Sequence, residues 1–364
     1  MNGRVFAVLA GGGTGGHVYP ALSLAQELVA RGHARESLRF VGGKRGPEGR
    51  IVPEAGFAID LLPGRGLQRR LTVANVGVVV ETIGAFFRAV ALVRRYRPRV
   101  VVGFGGYASL PCVLAAWIWR VPRVVHEQDS VIGLANRIGV RLGARVAASL
   151  PGVEASNVVL TGNPIRAEFR DFTREVQTPP LVAAFGGALG ARSINHAALD
   201  LYDRWRARTD LAVHHVSGPR NEEKCAARLT ALRRDDDRLA YELVGYEPRM
   251  PDVYARATVA VCRAGAGTVA ELAAAGLPAV LVPLPGAPSD HQSRNASTFE
   301  EAGAAVVVGD AECDGARLDA VLSDLLASPD RLADMSAAAR GLARPDAAAR
   351  LADLIEEAAG ARSA

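Results

Sequence analysis

The sequence predicts an α/β protein built from two doubly wound, Rossmann-like domains, and three observations carry that expectation. First, the apolar run RVFAVLA (Arg4–Ala10) passes at once into the glycine loop GGGTGGH and then into PALSLAQELVARG, whose apolar positions have helical spacing. Second, the same order returns as RVVVGF before GGYASLPCVLAAW, LVAAF before GGALGARSINHAAL, and VAVC before RAGAGTVAELAAAG. Strands that are apolar throughout, each feeding a glycine turn and a helix, belong to parallel sheets covered on both faces. Third, 364 residues at 49% hydrophobic and 22% charged give enough length and apolar content for two cores of ordinary size.

Taken in order, Arg4–Ala10 is the first strand, the glycine loop its exit, and LRFVGG the second strand, ending in Gly42 and Gly43. The segment from Gly64 to Arg97 has basic ends around an apolar middle. Val73, Val76, Val80, Ile83, Phe87 and Val90 make one helical stripe, and Val79, Phe86 and Val93 widen it. With Arg65, Arg69 and Arg70 beside it, that width is expected either to fill a core or to meet a membrane surface, with Trp117 and Trp119 as an added edge or as interior packing. TREVQTPP (173–180) is polar and proline-bearing just before a fresh strand at Leu181, so a domain boundary is expected nearby, at Arg166. Residues 1–165 then form one domain and 166–344 the other. Pro345 fits the first turn of a final helix, within 345–364, that can pack back on the first domain.

Composition excludes several classes. Apolar content is too high for disorder, and the longest apolar stretches are interrupted by charge or too short to span a bilayer. The N-terminal apolar run is too short for a secretion signal, and Cys112, Cys225, Cys262 and Cys313 make no CxxC pair, so a reducing, cytoplasmic setting without disulfide or zinc is expected. The formal charge of +5, nearly all of its cations Arg, suits phosphates or acidic lipid. Nucleic acid is disfavoured, since aromatic residues are only 5% and no basic run is interleaved with them. Asp235–Asp237 contains a DxD pattern, but flanked by arginines it reads as a solvated charge run, and no metal or cofactor is expected. No Ser-His-Asp pattern or GxSxG elbow is present.

The candidate chemistry lies at the strand-to-helix turns. Gly11-x-Gly13-x-x-Gly16 has the spacing of a dinucleotide loop, but the second strand lacks the acidic residue that would hold a ribose. Its amides and helix N-terminus can hold a phosphate or a sugar hydroxyl, unless the glycines serve packing alone. His17 on the first turn is a candidate general base, or else a capping histidine. His126 and Glu127 follow a strand and are candidate cleft residues. Thr268 and Glu271 have the spacing of a capping box, and also suit a helix N-terminus over a diphosphate with a carboxylate for a ribose diol. PLPGAPSDHQSRNA places Asp290, His291, Gln292 and Asn295 on a proline-stiffened turn expected to face the same cleft.

GGTGGHVYPALSLAQEL (12–28), GFGGYASLP (103–111), HEQDSVIGLANR (126–137), TGNPIR (161–166), CRAGAGTVAELAAAGLPAVLVPLP (262–285) and DHQSRNA (290–296) together resemble the MurG family of N-acetylglucosaminyltransferases, over nearly the whole chain and in the family's order. The resemblance implies a GT-B fold, two Rossmann-like domains facing across a cleft. It implies a UDP-GlcNAc donor, an undecaprenyl-diphospho-MurNAc-pentapeptide acceptor, and a peripheral place on the cytoplasmic face of an anionic membrane. By motif, Thr14, Gly15 and Gly16 would lie against the sugar nucleotide and His17 would take the proton of the acceptor's C4 hydroxyl. Arg166 would hold the donor, Ala266, Gly267, Thr268, Val269 and Ala270 would surround the nucleotide, Glu271 would bind the ribose, and Gln292 the GlcNAc hydroxyls. Transfer would invert the α-linked donor to a β-linked product. Further candidates are Glu127, Asp129 and Asn136 of the HEQD segment, Ala188 and Glu247. Where the family reads HEQN this chain has Asp129, and where it reads GGSQGA this chain has Ala188 and Leu189, two hydrogen-bonding side chains fewer near the expected donor phosphates. Glu247 stands at the usual uracil contact. The shared architecture leaves a sugar-nucleotide 2-epimerase, a transferase with altered donor or lipid acceptor, and a non-catalytic membrane scaffold as alternatives.

Overall fold

The structure, a computed structural model, describes residues 5–64, 74–169 and 172–360. Its contacts divide the chain into two compact units, Met1–Ala167 with Pro345–Ala364, and Glu168–Arg344. The border lies just beyond Arg166, which therefore packs with the first unit.

The first unit runs β1 (Ala7–Ala10), α1 (Gly15–Ala30), β2 (Leu38–Gly43), α2 (Glu48–Glu54), β3 (Ala58–Leu62), α3 (Ala74–Tyr96), β4 (Val100–Gly103), α4 (Ser109–Ile118), β5 (Arg123–Glu127), α5 (Leu134–Arg141), β6 (Arg145–Ala148) and β7 (Val158–Leu160). The strands form one parallel sheet in the order β3-β2-β1-β4-β5-β6-β7. Alternate side chains of β1 point to opposite faces. Ala7 and Leu9 join a core with Leu24 and Leu28 of α1, while Val8 and Ala10 join one with Ala85, Ala89, Leu92 and Val93 of α3 and Cys112 of α4. Both faces are thus covered, which is why the strands are apolar without alternation.

The second unit runs β8 (Leu181–Phe185), α6 (Arg192–Trp205), β9 (Ala212–Val216), α7 (Glu222–Leu232), β10 (Ala240–Val244), α8 (Met250–Arg256), β11 (Val259–Cys262), α9 (Ala266–Ala275), β12 (Ala279–Leu281), α10 (His291–Glu301), β13 (Ala305–Val307), α11 (Gly315–Leu326) and α12 (Pro329–Leu342). Its parallel sheet has the order β10-β9-β8-β11-β12-β13. The last helix, α13 (Ala347–Gly360), belongs to the first unit: Leu351, Leu354 and Ile355 enter the core that holds Leu24 and Leu28. Arg31 at the end of α1 donates to Asp353 at 2.6 Å, Glu356 at 2.9 Å and the Ala349 carbonyl at 2.9 Å.

In each sheet the chain reverses direction of strand addition beside the first strand, between β1 and β4 and between β8 and β11. Ligands of open parallel sheets bind outside the carboxyl ends of the strands at that reversal. The four glycine turns of the sequence lie there, two in each unit.

The apolar stripe on α3, expected to fill a core or to meet a membrane surface, is only partly core among the described residues. Ala85, Ala89, Leu92 and Val93 are the buried positions, whereas Ile83 and Phe87 point outward, Phe87 at 65% exposure. Small residues on the inner face let α3 lie close to α4. Arg65, Arg69, Arg70, Val73, Val76, Val79 and Val80 fall outside the residues whose side chains are described.

Candidate active site

In the first unit the loops after β1 and β4 are in backbone contact. A Cβ on Gly106, whose φ is +73°, would lie 2.2 Å from the Gly12 carbonyl oxygen, so only glycine permits the approach. Thr14 is the extended residue before α1, and His17 stands on the helix's first turn. His17 Nδ1 lies 3.0 Å from the Gly12 carbonyl and 3.2 Å from Thr14 Oγ1. Thr14 and Gly16 are exposed and Gly15 and His17 half-buried, so the candidate base and its loop are accessible.

One residue missed by sequence reasoning governs this loop. Glu48, 1% exposed, accepts the Gly13 N–H at 3.1 Å to each carboxylate oxygen and the Gly43 N–H at 2.7 Å. The expectation that the loop's amides hold a phosphate is corrected at Gly13, whose N–H is already committed to a carboxylate. The glycines of GGKRGPE, at 42, 43 and 46, were the only trace of this in the sequence.

His126 and Glu127 are interior groups rather than cleft residues. His126 is fully buried: Gln128 Nε2 donates to its Nδ1 at 3.0 Å, and its Nε2 donates to the Gly162 carbonyl at 3.3 Å. Burial, with His17 adding to it, pushes the His126 pKa down to about 4, so the ring is neutral near pH 7. The Gln128 amide also donates to the Phe104 carbonyl at 2.9 Å, joining β5 to the turn after β4. Burial pushes the Glu127 carboxyl up, opposed by donation from Gly133 N at 2.8 Å, Asn136 Nδ2 at 2.9 Å and Asp129 N at 3.3 Å. Glu127 and Asn136 therefore shape the 128–133 turn, leaving half-buried Asp129 on its surface. The TGNPIR segment is fastened to α1 by Ser23, which donates to the Ile165 carbonyl at 2.7 Å, and the Arg166 guanidinium lies 5.3 Å from the Tyr19 ring centroid.

In the second unit, Gly265 has an extended conformation before α9 and no side chain caps the helix, so the capping-box alternative for Thr268 and Glu271 does not apply. The half-buried first-turn residues Ala266, Gly267 and Thr268 present the helix's positive end. Val269 is a correction: its side chain is 1% exposed and its N–H is bonded to the Gly265 carbonyl at 3.0 Å, so it contributes packing and no donor. Ala270 and Glu271 follow, half-buried. Gln292 on α10 accepts the Leu284 N–H at 3.0 Å and closes the proline-rich turn, while Asn295 donates to the Ala264 carbonyl at 3.0 Å. Ala188 and Leu189 are exposed in the turn after β8. Glu247 accepts the Arg249 N–H at 2.8 Å, with its other oxygen 3.5 Å from His214 Nε2. Asp235 and Asp236 lie exposed in a turn.

Arg263 ties these turns together. It donates to the Val282 and Pro283 carbonyls at 3.0 and 3.1 Å, to Asp310 at 2.6 Å and to Ser193 at 3.1 Å, linking β11, β12, the segment after β13 and α6. Burial raises the Asp310 carboxyl, but the Ser193 hydroxyl and Arg263 outweigh it and hold the group below its ordinary value.

Two parallel Rossmann-like domains with glycine turns at both reversals, a histidine on the first and a helix N-terminus without a side-chain cap on the second, have the make-up of the GT-B class, and the chain's family matches make that class a glycosyltransferase. Residues 7–148 match the glycosyltransferase family 28 N-terminal domain, and residues 181–351 its C-terminal domain. A UDP-N-acetylglucosamine--N-acetylmuramyl-(pentapeptide) pyrophosphoryl-undecaprenol N-acetylglucosamine transferase of Desulforudis audaxviator is 36% identical, with 97% of this chain and 98% of that protein covered. The crystal structure of Acinetobacter baumannii MurG superposes with a TM-score of 0.77 at 28% identity, covering 97% of this chain and 99% of that one. The chain belongs to the MurG family of glycosyltransferase family 28. A UDP-N-acetylglucosamine 2-epimerase structure reaches a TM-score of 0.66 at 16% identity, with 97% of this chain and 95% of that one covered, a likeness of fold alone.

Proposed function

We infer that this protein transfers N-acetylglucosamine from UDP-GlcNAc to the C4 hydroxyl of the MurNAc in undecaprenyl-diphospho-MurNAc-pentapeptide, the step that makes the disaccharide-linked lipid of peptidoglycan. The observation that carries the reading is near full-length similarity, at 36% identity, to a transferase of that name, with the matching motifs at the strand reversals of both sheets.

In this reading His17 Nε2 takes the proton of the acceptor hydroxyl as its oxygen bonds to the anomeric carbon of GlcNAc. The bond from that carbon to the β-phosphate oxygen breaks with inversion, and UDP departs with the electron pair. The N–H groups of Ala266, Gly267 and Thr268 favour the charge that develops on the diphosphate, so no metal is required by the scheme. Glu271 accepts from the ribose hydroxyls, Gln292 binds the sugar, and Arg166 supplies a cation for the donor. Glu247, its side chain engaged by the Arg249 N–H, meets the base through its backbone. Thr14, Gly15 and Gly16 stand beside the base in the first unit, where they would meet the sugar nucleotide.

A peripheral place at the cytoplasmic membrane face is the second part of the proposal. Ile83 and Phe87 of α3 and Trp117, Ile118 and Trp119 beside them are exposed, with Arg88, Arg94, Arg95, Arg97 and Arg120 around them. Apolar side chains rimmed by arginines suit an anionic lipid surface. Among the described residues no helix is long and apolar enough to cross a membrane.

The test is UDP release from UDP-GlcNAc with and without a short-chain lipid-linked muramyl-pentapeptide, beside His17→Ala. Acceptor-dependent release that collapses in the variant is the expected result. Formation of UDP-N-acetylmannosamine without acceptor would overturn it in favour of the epimerase.

A further inference from the structure

The Gly12–Gly13 peptide group is bonded at both ends. Its N–H donates to both oxygens of Glu48, and its carbonyl lies 3.0 Å from His17 Nδ1. A carbonyl oxygen only accepts, so the contact places the imidazole proton on Nδ1 and makes Nε2 the acceptor nitrogen. We propose that Glu48 is a positioning residue for the transfer reaction, its carboxylate fixing the orientation and tautomer of His17 through the Gly12–Gly13 peptide. The inference rests on the reading of His17 as the base.

The physical argument is polarisation. A carboxylate drawing on the peptide N–H raises the negative charge on the same group's oxygen, and bonds in such a chain strengthen one another. The arrangement does what the buried aspartate does in a Ser-His-Asp triad, where it holds the imidazole in the correct tautomer, with one peptide unit interposed. The site is shaped for the carboxylate. A Cβ on Gly12 would lie 2.1 Å from Oε1, one on Gly42 2.5 Å from Cγ, and one on Gly46 within contact of Oε2, while Gly43 supplies a further N–H. Three glycines, one in the loop after β1, one in β2 and one in the turn that follows it, leave room for one side chain, which bridges the Gly43 N–H and the peptide on which His17 rests.

Glu48→Ala and Glu48→Gln, assayed as full-length protein with UDP-GlcNAc and a short-chain lipid-linked muramyl-pentapeptide, test this. In Glu48→Ala kcat is expected to fall roughly 10- to 100-fold, as for partners that orient a functional histidine. The KM for UDP-GlcNAc is expected to stay within about twofold, because most groups assigned to the donor, Ala266 to Glu271 and Gln292, lie in the other unit. Formate, which fits the space of the lost carboxylate, is expected to restore much of kcat. Imidazole 15N spectra of the native protein should show His17 protonated at Nδ1, and those of the alanine variant a second tautomer. An unchanged kcat in folded Glu48→Ala overturns the proposal, as does a lost kcat with an unaltered tautomer and no formate rescue, which would mark Glu48 as a structural bolt. Should the alanine variant not fold, Glu48→Gln carries the same kinetic and spectral readouts. If native protein releases no UDP with acceptor, the transferase reading fails, while the tautomer of His17 still decides the role of Glu48.

Discussion

The buried Asn136 and Glu127 side chains hold the 128–133 turn in place, and removing Asn136 should be felt first as lost stability. Asn136 supplies the Glu127 carboxylate with one of its three donors and also donates to the His126 carbonyl at 3.0 Å. Asn136→Ala leaves a buried carboxylate short of a partner, at a cost of about 1–3 kcal/mol that a denaturant titration should register. His126 and His215 add a pH dependence. Burial lowers both from 6.5 to about 4, with His17 contributing at His126 and His214 at His215. Below the unfolded value the unfolded chain takes up protons that the folded chain refuses. Their contribution is therefore complete above about pH 6.5, drains away as pH falls, and is gone near 4. Melting temperature is expected to decline steadily through that window, more steeply than in a His126→Gln, His215→Gln double variant.

At the scale of elements, the strand-to-helix turns and the α3–α4 face each carry a prediction. Gly190, with φ +74°, closes the turn after β8 against the Ser217 carbonyl, where a Cβ would lie within overlap distance. Gly190→Ala must displace that turn, so the KM for UDP-GlcNAc is expected to rise and thermal stability to fall, whereas alanine at Gly187, whose Cβ meets nothing, keeps only the strain of a positive φ. On the other face, Phe87 and Trp117 are exposed with no core role. Replacing both by serine should weaken sedimentation with anionic vesicles at least tenfold, taking roughly 1.5–3 kcal/mol for each large apolar side chain. Turnover of a short-chain acceptor in solution should persist. Equal vesicle binding by the double variant would remove this face from membrane association.

At the scale of the molecule, α13 makes the first unit discontinuous: the chain leaves it at residue 167 and returns at 345. Leu351 and Ile355 are fully buried against α1, and Arg31 bridges to Asp353 and Glu356. Truncation after Arg344 is therefore expected to destabilise the first unit while sparing the second. Hydrogen exchange should show lost protection in β1 and α1 with β8 and β11 unchanged. Leu351→Ala is the milder form, at about 2–5 kcal/mol.

Much of this architecture was legible in the sequence, because parallel strands buried on both faces are apolar without alternation and each hands over to a glycine turn and a helix. That local grammar determined the two domains, the parallel sheets and the turns that carry His17, Thr268 and Gln292. Tertiary structure decided what no local pattern encodes. His126 looked like a cleft residue because a strand end is a common place for one, but the loops from β4 and β6 close over it. Val269 sat among nucleotide candidates, yet helix periodicity turns its side chain into the core. Most of all, Glu48 lies 35 residues from Gly13 in sequence. Only the pairing of β1 with β2 brings its carboxylate beneath the glycine loop, because a hydrogen bond depends on distance in space and the sequence records only distance along the chain.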